Sequence, residues 1–338
     1  MKKFTRRTVM QMGAVTGTAL ATTGLLGSPA ALAQAPKFGE KTFIRIGTAG
    51  SGGNTYRVGA GLAALFNEKL TDIKLQASVQ ATGGTVHNME LMANKEIELA
   101  TAGGSTASAA YHNLRQYADR PKDRYKVVQF VSSIYPNPQW FIAMQWAPEI
   151  KSLRDLKGKR VSIGMIGSQA ESDWRRISKI IGFARDDIKA EYTVHQSAID
   201  QVRNRQIDAV VFGDAAGSAT VTQMMETGFA RIVDLDADVV EAMTNDVLDF
   251  PYTQPVGAMH GLTKPHKTWA TSIVLVARAD VEPELVYQMI KTIFENNDYL
   301  VKIHPITRFW KTETALDGQT GDLHPGAARY YKEIGILK

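Results

Sequence analysis

The chain has 338 residues, no cysteine, 22% charged residues and a formal net charge of +5. The absence of thiols excludes disulfides, cysteine-ligated metals and a cysteine nucleophile. Lys2, Lys3, Arg6 and Arg7 crowd the first seven residues, and +5 less these four charges leaves +1 for the remainder, so nucleic-acid binding loses its electrostatic basis.

The N-terminal stretch reads as an export signal. Residues 9–32 are apolar or small and uncharged, and Ala31-Leu32-Ala33 fits the A-x-A cleavage rule, predicting a leader over residues 1–33. Thr5-Arg6-Arg7-Thr8-Val9 resembles a twin-arginine signal, although paired arginines also occur in ordinary secretory leaders. Glycines at 13, 17, 24 and 27 make the stretch too weakly hydrophobic for a good membrane span. Export without disulfides points to a bacterial periplasm. The 305 residues that remain when 33 are removed from 338 exceed the usual size of one domain, so two are expected.

From there the chain alternates strand and helix. Strands are predicted at 43–48, 75–81 and 97–102, with helices at 54–69, 84–93 and 105–115. Alternation of this kind implies a parallel sheet with helices on its faces. A proline-bearing extended segment, 125–146, follows; Tyr135-Pro136-Asn137-Pro138 blocks a helix and makes a stiff crossing. A second cycle has strands at 161–164, 188–194 and 208–212, with helices at 169–181, 197–205 and 217–227. The cycles echo one another: Lys95-Glu96-Ile97-Glu98-Leu99-Ala100 in the first matches Arg205-Gln206-Ile207-Asp208-Ala209-Val210 in the second. Beyond them, 229–236 reads as a strand, 250–267 as a Pro-, Gly- and His-rich loop, 272–276 as a strand, and 282–295 and 324–333 as helices. The expected organisation is a first lobe from 42–135, a second from 136–236, and a return to the first over 237–338, with a ligand cleft between them.

Glycine-rich loops at strand ends carry the candidate site. Phe43-Ile44-Arg45-Ile46 leads into Gly50-Ser51-Gly52-Gly53-Asn54-Thr55-Tyr56, which leaves free N–H groups at the start of a helix and suits an anion. It is no dinucleotide fingerprint, because Tyr56 stands where a third small residue is needed, and no P-loop, because no Gly-Lys-Ser/Thr follows. Gly84-Thr85 and Gly103-Gly104-Ser105 end the next two strands, and ligands of open α/β sheets bind at that edge. Thr85 also fits an N-cap. In the second lobe, Gly167-Ser168-Gln169 repeats the plan, with Ser168 and Glu171 as a capping box. Asp214 reads either as the partner of a ligand ammonium group or as an N-cap. Arg57, one turn into the first helix, opposes the helix dipole unless an anion lies nearby, which a guanidinium could grip bidentately; a solvated side chain is the alternative. Gly103-Gly104-Ser105-Thr106-Ala107 approximates a nucleophile elbow, but Ala107 breaks the motif; a serine hydrolase using Ser105 is the minor alternative. The seven histidines form no metal-binding spacing, and neither metal nor cofactor is expected.

These residues resemble the TAXI family, the extracytoplasmic solute receptors of one branch of TRAP transporters. The resemblance runs from about residue 42 to 338. It rests on Gly52-Gly53-Asn54-Thr55-Tyr56-Arg57 with Gly59, on Gly84-Thr85-Val86-His87-Asn88-Met89, on Ser152-Leu153-Arg154-Asp155-Leu156-Lys157-Gly158, and on Leu323-His324-Pro325-Gly326-Ala327-Ala328-Arg329-Tyr330-Tyr331. It implies a type II periplasmic-binding fold, two α/β lobes with a hinge and an interdomain cleft. It also implies no catalysis, a small carboxylate ligand, delivery to integral-membrane TRAP subunits and a monomer; a receptor for an ABC importer is the alternative. The ligand-binding residues expected on all these grounds are Ser51, Gly53, Asn54, Thr55, Tyr56, Arg57, Gly84, Thr85, Ser105, Gly167, Ser168, Gln169 and Asp214. The sequence departs from the family pattern at Arg57, where a second tyrosine is usual, and at Met259. Arg57 favours a ligand with more negative charge, such as a dicarboxylate.

Overall fold

The computed structural model describes residues 41–338 apart from 216, 246, 247, 259 and 260, with only the backbone of His195 and Gln196; the expected leader, Met259 and His260 lie outside the described residues. The first lobe opens with β1 (Thr42–Gly47), α1 (Asn54–Lys69), β2 (Leu75–Gln80), α2 (Thr85–Ala93), β3 (Leu99–Gly103) and α3 (Gly104–Tyr111). β1 lies between β2 and β3, parallel to both. Apolar spacing decides how α1 sits: Val58, Leu62, Leu65 and Phe66 form one stripe and are buried. The expected third helix is cut short at Tyr111, and a separate 3-10 turn follows at Arg115–Tyr117.

A single long strand, β4 (Val128–Met144), then crosses between lobes. Pro136 and Pro138 have no N–H to give, so each pairs on the side of β10 (His266–Arg278), at Ser272 and Ala270. Pairing of β4 with its other neighbour begins only at Gln139.

The second lobe contains β5 (Arg160–Ser162), α4 (Gln169–Ile180), β6 (Lys189–Glu191), α5 (His195–Arg203), β7 (Ala209–Gly213), α6 (Ala219–Glu226), β8 (Ala230–Ile232), α7 (Ala237–Thr244) and β9 (Phe250–Gln254). The main path of the ten-stranded sheet runs β2-β1-β3-β10-β4-β7-β5-β6, with β8 paired to β4 and β9 to β10. β10 runs antiparallel to β3 and β4, which makes it the second crossing. The chain finishes with α8 (Pro283–Glu295), α9 (Asn297–Ile303) and α10 (Pro325–Glu333).

Each half of the sheet is covered on both faces. In the first lobe, α1, α8 and α10 bury Leu62, Phe66, Ile290 and Tyr331 on one face. On the other, Met89, Ala107 and Tyr117 pack against β3, β4 and β10. In the second, Trp174, Ile177, Val239 and Met243 cover one face, and Ile199, Val202, Val221 and Met224 the other. Two sequence expectations are corrected here. The stretch 250–267 is not all loop: β9 pairs with the first residues of β10, from His266 opposite Gln254 to Ala270 opposite Phe250. The packing of α7 against Trp174 and Ile177 also keeps 237–244 with the second lobe, so the apolar contacts return to the first lobe later than residue 237.

The echo between the two cycles becomes a matched pair of ion pairs. Glu98, just ahead of β3, accepts from Arg45 of β1 through backbone N at 2.9 Å, Nε at 3.0 Å and Nη2 at 2.6 Å. Asp208, just ahead of β7, accepts from Arg160 of β5 through the same three groups at 2.9, 3.1 and 2.6 Å. Each arginine also donates to the carbonyl of the residue that ends the preceding helix turn, Lys95 or Arg205, and both of these have positive φ, 64° and 54°. A bidentate fork is the strong form of such a contact. Burial opposes ionisation of both acids, yet the arginine bonds outweigh it and hold each below the ordinary carboxylate range. The two lobes are built to one plan.

Candidate functional site

The strand-end loops of both lobes converge on one cavity of about 110 Å³. A single water needs roughly 10–15 Å³ on this measure, so the space suits a small molecule of several heavy atoms. The first lobe contributes Thr48, Ala49, Gly50, Gly53, Asn54 and Thr55 from the β1–α1 loop, Gly84 and Thr85 before α2, and Thr101, Ala102 and Gly103 from β3. The second contributes Met165, Ser168, Gln169 and Ala170, then Thr193 and Val194 before α5, then Gly213, Asp214 and Thr220. Tyr135 and Asn137 of β4 and Ile273 of β10 close it from the crossing strands.

Four helices begin at this cavity without a side-chain cap: α1 after Gly53, α2 after Gly84, α3 after Gly103 and α5 after Val194. The first N–H groups of a helix have no partner within it, and the dipole favours an anion there by roughly 0.3–1 kcal/mol per end. Not all of these groups are spare: Val86 N donates to Gly167 O at 2.9 Å, and Ser105 N to Thr271 Oγ1 at 2.9 Å. Thr101 Oγ1, on a residue only 2% exposed, lines the same cavity and has no hydrogen-bond partner among the described residues. Among the described residues the lining contains no lysine or arginine, and its one carboxylate is Asp214.

Asp214 is held across the cleft. Its Oδ1 accepts from Asn54 Nδ2 at 2.6 Å and from Ala215 N at 2.9 Å, while Asn54 Oδ1 lies 2.9 Å from His304 Nε2. Burial raises the Asp214 carboxyl to about 6, against the lowering pull of its bonds from Ser218, Ala215 and Asn54. Burial, then the charge of Arg57, lowers His304. An ionised Asp214 opposes an anion in the cavity: two like charges about 5 Å apart repel by roughly 3 kcal/mol at an effective dielectric of 20.

Of the residues expected from sequence, Gly53, Asn54, Thr55, Gly84, Thr85, Ser168, Gln169 and Asp214 line the cavity. The segments around Gly53 and Ser168 therefore share one groove. Ser51, Tyr56, Arg57, Ser105 and Gly167 do not line it. Arg57 is exposed, because it stands three residues, about 4.5 Å of helix rise, below the N-terminal end that Asn54 occupies. Ser51 is exposed in the turn, and Tyr56 is half-buried outside the lining. Gly167 instead presents its carbonyl to Val86 across the cleft. Ser105 is 1% exposed, and its Oγ accepts from Gln169 Nε2 at 3.2 Å.

Two capping expectations also change. Thr85 is the first helical residue of α2 rather than its cap, and its Oγ1 accepts from Gly103 N at 2.9 Å, tying two lining loops together. Ser168 does cap α4, accepting from Glu171 N at 3.2 Å, but the Glu171 carboxylate turns to Arg175 and Gly167 N. The cap of α6 is Ser218, not Asp214. Tyr135, Asn137, Thr193 and Val194 escaped the sequence reading because no local signal marks them: they reach the cavity only through the crossing of β4 and the approach of the lobes.

That approach is close. A Cβ on Gly50 would stand 2.7 Å from Val194 Cγ1, and one on Gly84 would stand 3.2 Å from Ser168 Cα. Gln169 packs on Gly103, while Thr106 Oγ1 and Gln116 Nε2 donate to Ser172 Oγ at 3.3 and 3.2 Å. These cross-cleft contacts define a closed arrangement. Among the described residues no helix is long and apolar enough to cross a membrane, and no cluster of His, Asp and Glu could hold a metal ion.

Comparison with solved structures finds the same architecture at low identity. A Bordetella bronchiseptica RB50 protein matches at 14% identity and TM-score 0.53, over 87% of this chain and 82% of that one. XAC2383 from Xanthomonas citri, bound to ATP, matches at 10% and 0.51, over 86% and 95%. The periplasmic aliphatic sulphonate binding protein SsuA from Escherichia coli is similar at 15% and 0.47, over 87% and 91%. The fold is the two-lobed α/β architecture of type II periplasmic-binding proteins. The description of the NMT1-like family matches residues 46–335, most of the described chain, and the protein belongs to that family.

Proposed function

We propose that this protein is an extracytoplasmic solute receptor that closes its two lobes around a small organic anion, a carboxylate, and hands it to a TRAP-type secondary transporter. The carrying observation is the cavity itself: four uncapped helix starts and a buried unpaired hydroxyl, Thr101 Oγ1, converge on a space sized for a small molecule. Backbone N–H groups at helix starts replace water around a carboxylate without a side-chain cation. With Arg57 outside the lining, no guanidinium supports a second carboxylate, and the reading is confined to one anionic group. The fold serves ABC and TRAP receptors alike; the TRAP partner rests on the sequence resemblance, above all on Leu323–Tyr331. Export to the periplasm through the 1–33 leader and a monomeric state belong to the same reading. No covalent chemistry is proposed.

Thermal shift of the purified protein against acetate, pyruvate, lactate, 2-oxoglutarate, L-glutamate, L-glutamine and taurine tests this. A ligand at 100 times its Kd stabilises by about 2.7 kcal/mol, which moves Tm by several degrees in a protein of this size. At least one carboxylate should do so. A panel in which none does, or in which taurine, the sulfonate, alone responds, contradicts the reading.

A further inference from the structure

We infer that anion capture in this cleft takes up a proton, and that the proton goes to Asp214. This rests on the receptor reading above and adds a second, titratable partner to its site. Asp214 is 5% exposed and, among the described residues, is the one carboxylate in a lining that holds no lysine or arginine. A carboxylate bound there meets helix N–H groups on one side and a second carboxylate on the other. Among the described residues, no cationic side chain bonds to Asp214 to offset that meeting. Asn54 on α1 gives it an amide N–H, and the β7–α6 connection gives it Ala215 N and Ser218. From β4, Trp140 donates to its backbone carbonyl, and Tyr135, the other titratable group that feels its charge, is a neutral phenol held well above its ordinary range by burial and then by Asp214. Behind Asn54 stand His304, which bonds to Asn54 rather than to Asp214, and Arg57, whose charge acts on His304. Protonation of Asp214 is therefore the available way to remove the repulsion. The neutral carboxyl then has an O–H to donate, while its other oxygen keeps the bonds from Asn54 and Ala215.

Burial already moves this carboxyl to about 6 in the closed arrangement. Opening the cleft would return it toward the ordinary value near 3.9. The sign follows from linkage: a group whose closed-state pKa is raised favours closure in full below the open-state value and loses that contribution as pH rises through 6. A bound anion raises the closed-state value further and carries the window toward neutral pH.

Calorimetric titration of the purified protein with the tightest-binding carboxylate of the panel tests this, run at pH 6.0, 6.75 and 7.5 in buffers of different ionisation enthalpy. The panel carboxylates stay ionised over this range. The slope of observed heat against buffer ionisation enthalpy should show uptake of a fraction of one proton, and Kd should weaken as pH rises, by no more than tenfold per pH unit. Asp214→Asn keeps the shape and an acceptor for Asn54, and should bind with no uptake and a flat pH profile. Zero uptake in the wild type together with a flat profile overturns the inference and leaves the receptor reading standing, as does a preference for the zwitterionic carboxylate L-glutamine bound without uptake. Uptake that persists in Asp214→Asn overturns the assignment to Asp214. Failure of every panel member to bind the wild type overturns the receptor reading and this inference with it.

Discussion

Gly84→Val is expected to lower the affinity for any carboxylate that the wild type binds by more than 100-fold, in a protein that still folds. Gly84 precedes α2 with φ 101°, a region that side chains with a branched Cβ rarely enter. That strain costs roughly 1–3 kcal/mol and is felt in open and closed forms alike. The second effect belongs to closure alone. The new Cβ would stand 3.2 Å from Ser168 Cα and 3.5 Å from its Cβ, both on the opposite lobe, and a β-branched side chain would extend beyond it. Backbone cannot rotate away as a long side chain can, and the neighbouring bond from Val86 N to Gly167 O fixes the spacing at 2.9 Å. A loss of 100-fold corresponds to about 2.8 kcal/mol, which wedging two packed backbones apart readily exceeds. Gly182→Val separates the two effects. Gly182 also has positive φ, 74°, but nothing lies within 4 Å of its Cβ position, so this variant carries the strain without the wedge. It should lose a similar amount of stability in urea and keep its affinity within about twofold. Wild-type affinity in Gly84→Val, or an equal loss in both variants, contradicts the closed-cleft account.

Trp140→Ala is expected to cost the protein about 3–5 kcal/mol of stability, a large part of the 5–15 kcal/mol typical of a folded domain. Trp140 is fully buried on β4, in the cluster that also holds Ile199, Val221 and Phe212. Its ring stacks on His266 at 5.2 Å between centroids and 3° between planes. Its Nε1 donates to the Asp214 carbonyl at 2.8 Å, so removal also leaves a buried acceptor unpaired. Packing and function meet at this residue, because the same bond holds the Asp214 loop against the crossing strand. Urea unfolding should show a midpoint shifted far below the wild type, together with weaker anion binding. Trp140→Phe keeps most of the ring and loses the N–H, and should fall between the two. A loss under about 1 kcal/mol in Trp140→Ala would show that the crossing tolerates a cavity there.

Local pattern reaches some of this architecture from sequence and stops at definable places. Residues 54–69 were legible as a helix because a glycine loop opens it and Val58, Leu62, Leu65 and Phe66 repeat at helical spacing, and α1 has those bounds. The extended character of 125–146 was legible because Pro136 and Pro138 leave few alternatives, and β4 spans Val128–Met144. β9 was not, because Pro251 lies within this short mixed segment and Pro255 follows it, and its strand character comes from pairing with β10. α7 and α9 are eight and seven residues long, too short for periodicity to separate them from loop.

The cavity divides in the same way. Its glycine loops announce themselves, since they end parallel strands at one edge. From sequence Arg57 was the sharpest candidate, because no local signal shows the helical turn of depth that sets it below Asn54. Asp214 was visible as a polar residue at a strand end, but its bond to Asn54, 160 positions away, is a product of closure. The Arg45–Glu98 and Arg160–Asp208 pairs show the middle case. Their acids were read as an echo between cycles, and their arginines became visible only when adjacent strands brought them together.

Hydrogen–deuterium exchange of the purified protein, with and without the tightest-binding carboxylate, tests most directly whether a small anion is held between the lobes. Closure onto an anion predicts slowed exchange at 48–57, 82–88 and 101–106 in the first lobe and, at the same ligand concentration, at 165–171 and 192–198 in the second. Protection confined to one lobe, or falling on surfaces away from these five segments, would contradict it.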